Sequence, residues 1–163
     1  MNHLSAFYHK QKRSIEAKAM CQRVLEESKL SLGEKHSHTL GTVNNLGMLR
    51  ASLGKWDEAE ELYKSALQGF DSTIGVEQAA TYRPALHTLW NLGDLYREQG
   101  DLHEAEKVYS KTLYGFQSLF GTDHAMVQSI TRRLLLLRFA DSYGVAAVSV
   151  ANAYENPNKS MAD

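Results

Sequence analysis

A single cysteine, Cys21, in 163 residues excludes an internal disulfide framework and fits a reducing compartment. Charge of one sign is missing too: 18 Lys and Arg against 19 Asp and Glu leave a formal net charge of −1, so no global basic field exists to hold nucleic acid or an anionic membrane. The locally basic stretch Lys10, Lys12, Arg13, Lys18, Arg23 and Lys29 reads first as a solvated surface. No apolar run approaches the roughly 20 residues of a membrane span. The start, Met1-Asn2-His3, lacks the charged-then-apolar order of a signal segment. These absences point to a cytoplasmic protein with neither nucleic acid nor membrane as a partner.

Signs of chemistry are equally sparse. No glycine loop ends in Gly-Lys-Ser/Thr, and no serine or cysteine sits in a nucleophile motif. Glu58, Glu60, Glu104 and Glu106 follow the spacing of a solvated helix surface. His36 and His38 make the strongest case for a metal, but helical zinc sites want ligands four apart and a third converging group, which the sequence does not supply. The expectation is therefore no enzyme, no metal and no cofactor.

What is there is one unit written twice. Asn45-Leu46-Gly47, Gly54, Glu58-Ala59-Glu60, Tyr63, Gly69-Phe70 and Gly75 recur 46 residues on as Asn91-Leu92-Gly93, Gly100, Glu104-Ala105-Glu106, Tyr109, Gly115-Phe116 and Gly121. A period of this size marks stacked supersecondary units with a continuous surface. A frayed copy lies upstream, with Leu4, Glu16-Ala17, Leu25 and Gly33 placed 42 residues before Leu46, Glu58-Ala59, Leu67 and Gly75. The basic period is thus 42, and the four extra residues fall within 76–89, the run that holds Pro84. Insertions of this kind map to turns between units.

Within each unit the apolar residues keep helical spacing on either side of a glycine: Leu40, Val43, Leu46 and Leu49 before Gly54, then Ala59, Leu62, Tyr63, Ala66, Leu67 and Phe70. This predicts a helix, a tight turn and a second helix. Gly54 and Gly100 end the first helix, and the acidic residues that follow favour the start of the next. Cys21 stands 42 residues before Tyr63 and reads as a small packed hydrophobe. After Gly121, residues 125–140 carry Val127, Ile130, Leu134, Leu135 and Leu137 and predict a capping helix.

Leu89, Leu92, Gly93, Tyr96, Ala105, Tyr109 and Thr112, with Val43, Leu46, Gly47, Arg50, Ala59, Tyr63 and Ala66, resemble the tetratricopeptide repeat. The 42-residue period, the Gly33-Glu34-Lys35-His36 and Gly121-Thr122-Asp123-His124 turns and Thr42-Val43-Asn44-Asn45-Leu46-Gly47 look like the kinesin light chain type. The run from Thr81 to Gly93 is similar to the last repeats of fungal proteins in which such arrays follow an NB-ARC or NACHT domain. The resemblance implies an all-α fold, a short right-handed superhelix (α-solenoid) of antiparallel helix pairs. Its expected parts are a partial repeat over 4–32, full repeats over 36–74 and 82–120, a capping helix over 124–140 and a weakly structured tail over 141–163.

The resemblance also implies a protein or peptide partner held in the concave groove lined by the first helix of each pair. On that register the groove positions are Asn44, Asn45 and Met48 in one unit and Trp90, Asn91, Asp94 and Arg97 in the next, continuing to Arg132 and Arg133. Asn45 and Asn91 are equivalent, and an amide offers both donor and acceptor to an extended peptide backbone. Bonds to local carbonyls between helices are the other reading. Arg97 and Arg133 suit an acidic or carboxylate-bearing peptide, since guanidinium groups pair with carboxylates two-pronged; solvated positions on a cap helix are the alternative. Self-association through open solenoid ends is the second expectation for function.

Overall fold

The computed structural model describes residue 16 and residues 19–143. The first part of the partial repeat and the segments 145–153 (expected as a weak helix) and 156–163 (expected to be disordered) lie outside the described residues. Seven helices are found among those described: α1 (19–32), α2 (Ser37–Ser52), α3 (Trp56–Ile74), α4 (Val76–Ala79), α5 (Arg83–Gln99), α6 (Leu102–Phe120) and α7 (Ala125–Tyr143), with no strand. The all-α class read from the repeat is the one observed. The chain divides between Ala79 and Ala80 into two compact units, each with its own helix pair.

The turns inside the pairs form where glycine permits them. Gly54 has φ +72° and Gly100 φ +84°, the left-handed region that side chains with a Cβ avoid. In the first turn Gly54 N–H donates to the Ala51 carbonyl at 2.9 Å and Lys55 N–H to the Arg50 carbonyl at 3.0 Å. Gly100 and Asp101 repeat this with Arg97 and Tyr96 at 3.2 and 2.9 Å. Both use up carbonyls that the end of a helix would otherwise leave bare. Asp101 then accepts from the Glu104 N–H at 3.1 Å and caps α6. The recurring histidines are also caps: His36 Nδ1 accepts from the His38 N–H and His124 Nδ1 from the Met126 N–H, each at 3.2 Å. Their recurrence 88 residues apart is explained by this repeated duty at helix starts.

Within each pair, close approach at two points fixes the packing. A Cβ at Gly47 would meet the Tyr63 ring at 2.6 Å, and one at Gly93 the Tyr109 ring at 2.7 Å. Further along, Gly69 lies under Leu40 and Gly115 under Leu86, closer still. Because the contact moves from 47–63 to 40–69, one helix advances as the other retreats, so the pair is antiparallel. Ala59, Ala66 and Ala105 are fully buried in the same seam. Buried Thr42 and Thr88 satisfy their hydroxyls locally, each donating at 3.0 Å to the carbonyl four residues back.

The four extra residues are a helical turn of their own, α4, which follows Gly75 directly. Pro84 sits in the first turn of α5, where its missing N–H costs no helical bond. α7 packs on α6 through buried Val127, Ile130, Leu134 and Leu137. Leu135, read from the sequence as part of that apolar face, is instead 61% exposed, on a side of α7 turned away from α6. In the repeat register Leu135 occupies the place of Gly47 and Gly93. α7 runs to Tyr143, three residues past the end expected for the capping helix.

Two glycines of α2 should respond to alanine with opposite signs. Gly47→Ala forces the Tyr63 ring away and is expected to cost about 1–3 kcal/mol. Gly41→Ala, with nothing within 4 Å of the added carbon, should gain about 0.5–1 kcal/mol from helix propensity. Urea unfolding of both variants decides it, and equal shifts would refute the seat proposed for Tyr63.

Candidate interaction site

The stripe of α2 that carries Asn44, Asn45 and Met48 is polar but uncharged. Asn44 is half-buried, while Asn45 and Met48 are exposed. The Asn44 amide donates weakly to Asn45 Oδ1 at 3.5 Å and reaches Met48 Sδ at 3.9 Å. Met48 is one helical turn beyond Asn44, so the three form one patch on one face.

The matching stripe of α5 is chemically different. Trp90, Asp94 and Arg97 fall at helical spacing on one face, with half-buried Asn91 beside them. Asp94 is a hub. One carboxylate oxygen accepts from the Tyr109 hydroxyl of α6 and from Arg133 Nη1 of α7; the other accepts from Trp90 Nε1 at 3.0 Å. Arg97 Nε stands 3.9 Å from Asp94, and the Arg133 guanidinium lies 5.3 Å from the centre of the Trp90 ring. Arg133 Nη1 also donates to the Tyr109 hydroxyl at 3.4 Å. Four groove positions read from the sequence therefore meet in one network that ties α5, α6 and α7 together.

Burial and charge keep the Tyr109 hydroxyl protonated. Tyr109 is fully buried, and burial above all pushes its phenol well above the ordinary range. The Asp94 charge and hydrogen bond push the same way, opposed by Arg133. Tyr109 thus remains a neutral donor. Beneath Trp90 an aromatic run continues: Phe116 meets Trp90 and His87 edge-on at 6.3 and 5.6 Å and stacks on Phe120 at 6.0 Å, and Phe120 stacks on His124 at 4.4 Å.

Sequence reasoning placed Arg132 and Arg133 together in the groove register. Of the two, Arg132 is exposed and Arg133 turns in to Asp94. The hydroxyl of Tyr109, assigned to packing alone, was missed as a member of the site. The opposite charges of Asp94 and Arg97 three residues apart were the available signal. Among the described residues no group of three His, Cys, Asp or Glu converges as a metal site would require. No described helix is long and apolar enough to cross a membrane.

Helix pairs joined by glycine turns, with small residues seating aromatic ones, define a helical repeat protein built to present surface. The tetratricopeptide repeat profile matches residues 1–72 and 84–148, more than half of the sequence, and the chain belongs to that family. Such repeats generally mediate protein–protein interaction, and the family is one of interaction scaffolds. Among curated proteins none matches this sequence. Solved structures do match. BtubC (BKLC) from P. vanneervenii is 22% identical with a TM-score of 0.69, and the match covers 94% of this chain and 62% of that one. A putative kinesin light chain with nearly identical TPR-like repeats from Podosopora anserina is 17% identical with a TM-score of 0.70, over 93% of this chain and 72% of that one. At these identities the likeness is one of fold, that of kinesin light chain-like repeats. This chain spans about three fifths of the length of the first.

His87 provides a pH test of the α5 face. Burial, and then the neighbouring Arg83 charge, lower its pKa from the ordinary value of about 6.5. A lowered folded-state value means that its contribution to stability is complete above about pH 6.5 and is lost as the pH falls below it toward the folded-state value. His87→Gln should therefore show a shallower fall of melting temperature between pH 7 and pH 5.5 than the parent protein. Parallel curves would remove His87 as a source of acid sensitivity.

Proposed function

We propose that this chain is a non-enzymatic module that binds a peptide or protein segment through the stripe of α2, the stripe of α5 or both. It would work in the cytoplasm, as the partner-reading part of a larger repeat or nucleotide-switched receptor architecture. The observation that carries the reading is the split between matched and unmatched positions. Gly47 and Gly93, Tyr63 and Tyr109, and Leu40 and Leu86 coincide, and all serve packing. Asn44 against Trp90 and Met48 against Asp94 do not coincide, and all lie on the outward stripes. Variation on a surface that a matched packing seam holds in place is what a recognition face requires.

Two features narrow the partner. Asn45 and Asn91 repeat across otherwise unlike stripes, which suits recognition of an extended backbone whatever its side chains. Arg97 and Arg133 outnumber Asp94 in the α5 network, which favours an acidic segment there. A second reading, self-association, is favoured by Leu135 and Phe139, which lie one turn apart on α7 and are 61% and 56% exposed.

Panning a random peptide library against the chain and titrating the enriched peptides tests the first reading. Asn45→Ala with Asn91→Ala should weaken binding by roughly 5- to 150-fold, the effect of two lost hydrogen bonds of about 0.5–1.5 kcal/mol each. Enriched peptides that bind the double variant unchanged would sink the asparagine clamp. Sedimentation at rising concentration, with Leu135→Glu as the comparison, tests the second: a mass that stays monomeric excludes self-association.

A further inference from the structure

We propose that Asp94 is the specificity-determining residue of the α5 face, a resident carboxylate held where a partner's carboxylate would sit. By occupying that place it sets how acidic a partner must be to bind. The inference rests on the reading of this face as a binding surface for an acidic segment.

The placement of the three charges leads to it. Asp94 accepts from Arg133 Nη1 and stands 3.9 Å from Arg97 Nε, and its side chain is 28% exposed, so a carboxylate open to solvent already occupies one guanidinium group and lies beside the other. An incoming anion that approaches either arginine must compete with the Asp94 charge. Like charge repels a weakly acidic segment, and only a segment carrying several carboxylates gains enough from both arginines to offset it. The Nε of Arg97, 3.9 Å from Asp94, is beyond hydrogen-bond range of that carboxylate oxygen.

The fold itself does not ask for the carboxylate. Met48 stands at the same register of the other helix pair, over a tyrosine seated on a glycine in the same way. The pairing of two helices is thus compatible with an uncharged residue there. At α5 the carboxylate is anchored through both oxygens by Tyr109, Arg133 and Trp90, so it cannot swing aside as a surface side chain would. A fixed negative charge beside two cations admits anions selectively; a mobile one would not.

The test uses two fluorescein-labelled ten-residue peptides, one of alternating glutamate and alanine and one with glutamine in place of glutamate. Each is titrated against the parent chain, Asp94→Asn and Asp94→Met at three salt concentrations. The methionine variant copies the residue found at position 48 and guards against a folding failure of the asparagine one. Removing the resident charge should tighten binding of the glutamate peptide about tenfold and steepen its salt dependence, leaving the glutamine peptide unaffected. Weaker or unchanged binding of the glutamate peptide by a variant that melts like the parent would overturn the proposal, because Asp94 would then position the arginines or play no part. If neither the parent nor any variant binds the glutamate peptide, the acidic-partner reading fails, and the role of Asp94 with it.

Discussion

Each helix pair of this protein hangs on a tyrosine ring lying against a glycine. At Gly47 and Gly93 the first helix has no side chain, and the rings of Tyr63 and Tyr109 fill the space that results. Everything else in the pair follows from that approach: the leucine–glycine contact further along, the fully buried alanines and the turn tight enough to bring the helices back on themselves. Protein interiors are packed too densely for such a seat to drift by even one carbon without strain. The same ring does different duty at its far end in the second pair, where the Tyr109 hydroxyl leaves the seam and donates to Asp94.

That link joins scaffold to surface. Asp94 lies on the outward stripe of α5, yet its partners come from all three helices of its unit. A face arranged in this way is pre-ordered, and less freedom is lost when a partner binds than on a face of mobile side chains. The α2 stripe, with Asn44, Asn45 and Met48, is uncharged and offers soft, neutral contacts instead.

The fold was legible in the sequence because its constraints are repeated ones. Glycine at 47 and 93, tyrosine at 63 and 109 and glycine at 54 and 100 each have a single physical reason, and two copies make the reason visible. The inserted four residues were legible from glycine spacing, though not their folding into α4, since four residues carry no period of their own. The site was legible as a set of positions but not as a network. Whether Arg132 or Arg133 reaches Asp94 depends on the rotation of α7 about its axis, where one residue step is about 100°. Leu135 was misplaced for the same reason: its spacing fits a buried stripe, but the rotation of α7 against α6 leaves it 61% exposed.

Leu135 also stands where both earlier pairs have glycine. A helix bearing tyrosine at the usual register, laid against α7 as α3 lies against α2, would find that notch already filled. A further copy of the same unit could not be added there without a compensating change in the incoming helix. Four carbon atoms are enough to set α7 apart from the two helices that open the earlier pairs.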